Sequence, residues 1–140
     1  MELADAGLRY RMRRALRQIG EQHLALHEIH DRLDAAIASG ERLEARDAFV
    51  RFRHAIGAHF ELEDGVFFPA LHGLYPEEQE ALEALGLDHA ALLAALQRLA
   101  PLLEEAALER FGVAFDTFRR DLAQHEKCEE ALVSRCADET

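Results

Sequence analysis

The chain has no tryptophan, and its 140 residues include only two tyrosines, two cysteines and two methionines. Two cysteines exclude a disulfide framework, and Cys128 and Cys136 stand eight residues apart on one expected helix. That separation is about 12 Å along a helix axis, beyond the roughly 7 Å that a disulfide tolerates between Cα atoms. Both are expected as small buried hydrophobes of a reducing compartment. Three prolines and eight glycines leave long uninterrupted intervals. No apolar run approaches the roughly 18 residues of a membrane span; the longest is Ala90–Leu96. The opening segment carries arginines but no apolar stretch of the signal-peptide kind. Basic charge is short as well: 16 Lys+Arg against 27 Asp+Glu give −11, which repels nucleic-acid phosphates over most of the surface. The arginines of Arg9–Arg17 have no aromatic platform beside them and are expected as a solvated helix face. These absences leave an acidic, cytoplasmic, globular domain that engages neither nucleic acid nor membrane. With 49% apolar and 31% charged residues the chain is not disordered. Its length suffices for a buried core, so a single domain over residues 1–140 is expected, with its core at about 8–136. What the chain does have in quantity is histidine, eight residues in all.

Four stretches carry the 3-and-4 spacing of an amphipathic helix. Leu16, Ile19, His23, Leu26, His30, Leu33 and Ile37 make the first, closed by Ser39-Gly40 as a C-terminal glycine closes a helix. Phe49, Phe52, Ile56, His59, Glu63 and Phe67 make the second, which should end at Pro69. Leu82, Leu85, His89, Leu92, Leu96 and Leu99 make the third, up to Pro101. Phe111, Phe115, Phe118, Leu122, His125, Glu129, Leu132 and Cys136 make the fourth. Nothing alternates with period two over a useful length, so strands are not expected. The pattern predicts an all-α, antiparallel, up-down-up-down four-helix bundle with helices crossing at roughly 20°.

Each apolar stripe is interrupted by a histidine, and two also by a glutamate. Burying neutral imidazole has a cost, and burying an ionised carboxylate costs far more unless a cation or hydrogen bonds offset it. The second half of the chain repeats these interruptions. His23 to His89, His59 to His125 and Glu63 to Glu129 are each 66 residues. The flanks follow at the same offset: Asp31-Arg-Leu33 with Gln97-Arg-Leu99, Phe49 with Phe115, and Phe52-Arg53 with Phe118-Arg119. Two helical hairpins related by a pseudo-twofold are expected, each supplying half of one centre.

The residue types define the chemistry of that centre. His and Glu at i and i+4 share one helix face, with Cβ atoms about 6 Å apart, and reach a common cluster. Each hairpin would offer two imidazoles to one metal, and Glu63 and Glu129 would bridge the two ions. Imidazole with carboxylate and without thiolate suits iron, manganese or zinc, and two bridging carboxylates over four histidines suit a dinuclear non-haem iron centre best.

These residues resemble the hemerythrin-like, or HHE cation-binding, domains. The resemblance spans roughly Leu16 to Cys136. It rests on the early His23, on His59-Phe-Glu-Leu-Glu63-Asp-Gly-Val-Phe67-Phe68-Pro69, on Asp88-His89, and on His125-Glu-Lys-Cys-Glu129-Glu130. It implies a bundle holding two iron ions joined by an oxo or hydroxo bridge, with manganese or zinc as alternatives. Such a site reacts with O₂ or related small oxidants. Two departures separate this chain from the oxygen carriers of the family. Their second histidine one turn after the third-helix ligand is replaced here by Leu93, and Glu129 follows its histidine by four residues where they have an aspartate at five.

His27 is the repeat-mate of Leu93 and follows His23 by one turn. It is expected to complete a three-histidine set with His23 and His59, which leaves an open position on the metal of His89 and His125. His30 lies about 10 Å along the axis from His23, too far for the same metal, and is expected as a packed or pocket-lining residue. His54 and His72 are expected at the surface or in loops. The expected function is O₂ binding for sensing, storage or delivery. The alternative is a di-iron enzyme acting on peroxide or NO, or an iron donor in iron–sulfur repair. A metal-free interaction module is a third reading, disfavoured by the cost of burying Glu63 and Glu129.

Overall fold

The structure is a computed structural model that describes residues 3–104 and 107–138, with side chains placed within 5–104 and 107–136. Among these described residues five α-helices follow in order: α1 (Leu3–Ser39), α2 (Arg42–Leu62), α3 (Phe68–Leu74), α4 (Gln79–Glu104) and α5 (Leu108–Asp138). A wide π turn, Glu63–Phe67, joins α2 to α3, and a short 3₁₀ turn, Pro76–Glu78, leads into α4. No strand occurs among the described residues. α1 pairs with the α2–α3 arm and α4 with α5, giving the expected antiparallel four-helix bundle built from two hairpins.

Helix ends follow from local chemistry. α1 closes at Gly40, whose φ of 74° suits a residue without Cβ. The Gly40 N–H donates to the Ile37 carbonyl at 3.2 Å and the Glu41 N–H to that of Ala36 at 3.0 Å, a Schellman closure. The arm that starts with α2 does not stop at Pro69. The Phe68 N–H donates to the Glu63 carbonyl five residues back, so the chain widens before the proline, which has no N–H and would crowd a regular turn. Pro69 then occupies the first turn of α3, where a missing donor costs nothing. α4 likewise runs through Pro101 to Glu104. Pro101 is exposed, buried Leu99 and Leu103 hold the last turn inward, and Arg42 Nη1 donates to the Leu103 carbonyl at 3.1 Å.

Two apolar clusters divide the bundle along its length. The larger contains Leu33, Phe49, Phe52, Ile56, Leu96, Phe111, Phe115 and Phe118. Its rings meet edge-on between arms, as in Phe49–Phe111 at 5.0 Å and Phe52–Phe115 at 5.4 Å, the arrangement that ring quadrupoles favour. The smaller contains Ile19, Phe67, Phe68, Leu71, Leu82, Leu85, Leu132 and Cys136. Cys136 is buried as expected, but Cys128 is exposed. Three residues turn a helix by about 300°, which carries Cys128 off the inward line of His125. Near the larger cluster Arg119 bonds Asp34 at 2.9 Å, His30 Nε2 at 2.8 Å and Asp116, locking α5 to α1.

Candidate metal centre

The histidines and glutamates of the repeat occupy the layer between the two clusters. On α1, His23 stands between Ile19 and Leu26. His59 follows Ile56 on α2, and Glu63 opens the π turn that leads to Phe67. On α4, His89 lies between Leu85 and Leu92, and on α5 His125 and Glu129 precede Leu132. Apolar residues above and below fix the inward direction, and the polar residues in register with them have no alternative place. Glu63 is 0% exposed, His89 1%, His59 3%, His125 4% and Glu129 9%. His23 is half-buried.

The side chains form two imidazole pairs. His23 and His59 have ring centroids 4.7 Å apart, and His89 and His125 are separated by the same 4.7 Å. Glu63 stands between the pairs: its Oε1 lies 3.4 Å from His59 Nε2 and 3.2 Å from His89 Nε2. Glu129 Oε2 lies 3.5 Å from His125 Nε2. One ligand-type atom from each of Glu63, His89, His125 and Glu129 falls within 4.8 Å of all the others. Both oxygens of Glu63 and the Nε2 atoms of His89 and His125 are buried with no hydrogen-bond partner among the described residues. Buried polar atoms without partners cost about 1–3 kcal/mol each. Four of them converging on one spot, from nitrogen and oxygen donors that ligate iron, manganese or zinc, fit a metal centre.

The far side of each buried ring is engaged. The Nδ1–H groups donate to Gln22 Oε1 from His59 at 2.9 Å, to Asp64 Oδ1 from His89 at 2.9 Å, and to Asp88 Oδ2 from His125 at 3.1 Å. Such bonds fix the tautomer that leaves the Nε2 lone pair facing inward. Sequence reasoning missed Gln22 as a partner, although the signal was present. Gln22 and Asp88 precede His23 and His89 and are themselves 66 residues apart, so each hairpin bonds its own second-helix histidine from the same position. Phe60 and Phe68 stack on His89, at 4.0 Å and 5.5 Å between centroids and 11° and 15° between planes.

Burial, reinforced by the neighbouring imidazoles of His23, His89 and His125, pushes His59 down to about 3, so its ring is neutral at physiological pH. For His89 burial works in the same direction, but the carboxylates of Glu63 and Asp64 outweigh it and raise its pKa.

Other expected positions fall outside this cluster. His27 is exposed; Leu26 takes the inward place in that turn. His23, His27 and His30 line a surface pocket of about 370 Å³ between α1 and α5 together with Glu126 and Glu130. Burial raises the Glu126 carboxyl. His54 and His72 are exposed, as expected.

A family model described as the hemerythrin HHE cation binding domain matches residues 14–137, which include all of these side chains. Comparisons with curated proteins and with solved structures find no match.

Proposed function

The chain belongs to the hemerythrin HHE cation-binding family, and from that premise we propose that it is a non-haem di-iron protein that binds O₂. His23 and His59 would hold one ion, His89 and His125 the other, with Glu63 and Glu129 shared between them. The observation that carries this reading is the convergence of both Glu63 oxygens and two histidine Nε2 atoms, all buried and without partners. When bound, two ferrous ions supply the redox chemistry toward O₂, which histidine and carboxylate lack. The rest falls to the protein. The outer hydrogen bonds hold the rings of His59, His89 and His125 in their ligating tautomer, the carboxylates offset positive charge, and the two apolar clusters cover the centre along the bundle axis.

The test is anaerobic loading with Fe(II), followed by O₂ exposure in a closed cell. About one O₂ consumed per two irons, recovered on purging with inert gas, supports the reading. Failure to consume O₂ contradicts it. A second reading, an enzyme acting on peroxide or NO, is favoured by the solvent side of the centre. His23 is half-buried beside an open pocket, and His27 is exposed, so the first ion is less enclosed than a three-histidine set would make it. Catalytic loss of peroxide or NO, with no recoverable O₂, would decide for the enzyme.

A further inference from the structure

The two halves of the centre differ in what stands behind their ligands. We propose that this difference orders metal loading: the position of His89, His125, Glu63 and Glu129 takes the first divalent cation, and the position of His23 and His59 takes the second. Asp64 and Asp88 are the positioning residues that set the order. The inference rests on the di-metal reading above.

Charge is the first distinction. Behind the His89–His125 pair stand two carboxylates, Asp64 at 2.9 Å and Asp88 at 3.1 Å from the respective Nδ1 atoms. A carboxylate accepting the Nδ1–H makes the opposite nitrogen a stronger donor and adds negative charge within reach of the cation. Behind His59 stands the amide of Gln22, which orients the ring but brings no charge. Among the described residues no hydrogen bond reaches the His23 ring; Glu126, half-buried on α5, interacts with it electrostatically but does not hydrogen-bond it. The pseudo-twofold would place Glu130 there as the mate of Asp64, but Glu130 is exposed and only shares a pocket wall with His23.

Pre-organisation is the second distinction, and it points the same way. The 4.8 Å cluster contains His89 and His125 with both glutamates, so four ligand atoms already converge on that position. His89 is clamped between Phe60 and Phe68. Of the other pair, His23 is half-buried and its ring meets that of His59. A site whose ligands are already ordered loses less freedom when it binds.

The comparison of Gln22 with Asp88 reduces the argument to one side chain at equivalent positions, which makes it testable in both directions. The metal-free full chain is titrated with Mn(II) under argon, followed by calorimetry and by electron paramagnetic resonance. Two resolved steps are expected: the first equivalent gives the signal of isolated manganese, and the second converts it to that of a coupled pair. Asp88→Asn is expected to weaken the first step about 10–100-fold and to leave the second nearly unchanged. Gln22→Glu is expected to tighten the second step and narrow the gap. Asp88 is exposed, so its substitution spares the core, and the gain expected from Gln22→Glu cannot come from misfolding. Two ions taken up in one indistinguishable step, or variants that shift both steps alike or neither, would overturn the ordering alone. A chain that binds no manganese would overturn the di-metal reading and the ordering with it.

Discussion

Glu63 has no exposed surface, and among the described residues neither of its oxygens has a hydrogen bond of good geometry. In the metal-free protein that arrangement is costly, and the 3.2 Å approach to His89 Nε2, whose pKa Glu63 helps to raise, offsets part of the cost. Glu63→Leu is therefore expected to leave the metal-free chain folded, with its melting temperature little changed, while abolishing stoichiometric metal uptake. A large drop in melting temperature would mean that the Glu63–His89 pair holds the fold. His59 supplies a second residue-scale prediction. Its folded value of about 3 lies below the ordinary 6.5. Below pH 6.5 the unfolded chain takes up a proton that the folded one refuses, and folded stability falls toward pH 3. The steepest loss is about 1.4 kcal/mol per pH unit. His89, raised by its carboxylates, contributes stability that is full below pH 6.5 and lost only as pH rises through its folded value. Between pH 6.5 and 4.5 the two therefore do not cancel. Urea unfolding of the metal-free protein in that range should show a shallower pH dependence for His59→Leu than for the wild type, and equal slopes would contradict the assignment.

At the scale of the helices, the larger phenylalanine cluster and the metal layer have separate tasks. Phe115 is 0% exposed and meets Phe49, Phe52, Phe111 and Phe118. Phe115→Ala is expected to cost about 3–5 kcal/mol while metal stoichiometry in the folded fraction stays unchanged, measured by denaturant melts and metal analysis. Loss of metal at full folding would show that the cluster positions the ligands directly. The helices and their polar interruptions were legible in the sequence because a buried His or Glu on an apolar stripe violates the pattern, and the 66-residue offset repeats the violation. Other features depend on geometry that a helical period does not contain. Pro69 and Pro101 read as stops, yet a π turn and a solvent-facing position accommodate them. His27 and Cys128 read as inward, yet Leu26 and the inward line of His125 and Glu129 take those places. The 66-residue offset marks Gln22 and Asp88 as equivalent positions, but which histidine each one meets depends on the pairing register of its hairpin.

For the whole molecule, a cation that binds only the folded state adds stability in proportion to the logarithm of its concentration over Kd, about 2.7 kcal/mol at a hundredfold excess. The charge of −11 assists the approach of cations but does not select among them; selection belongs to the buried donors. We propose that these donors hold two ions per chain. The most direct test of that proposal is metal analysis of the chain after anaerobic Fe(II) loading and removal of loosely held ions, alongside Glu63→Leu and His125→Ala. About two irons per wild-type chain are expected, and one or fewer in each variant. Wild-type protein without iron, or variants that retain two, would contradict it.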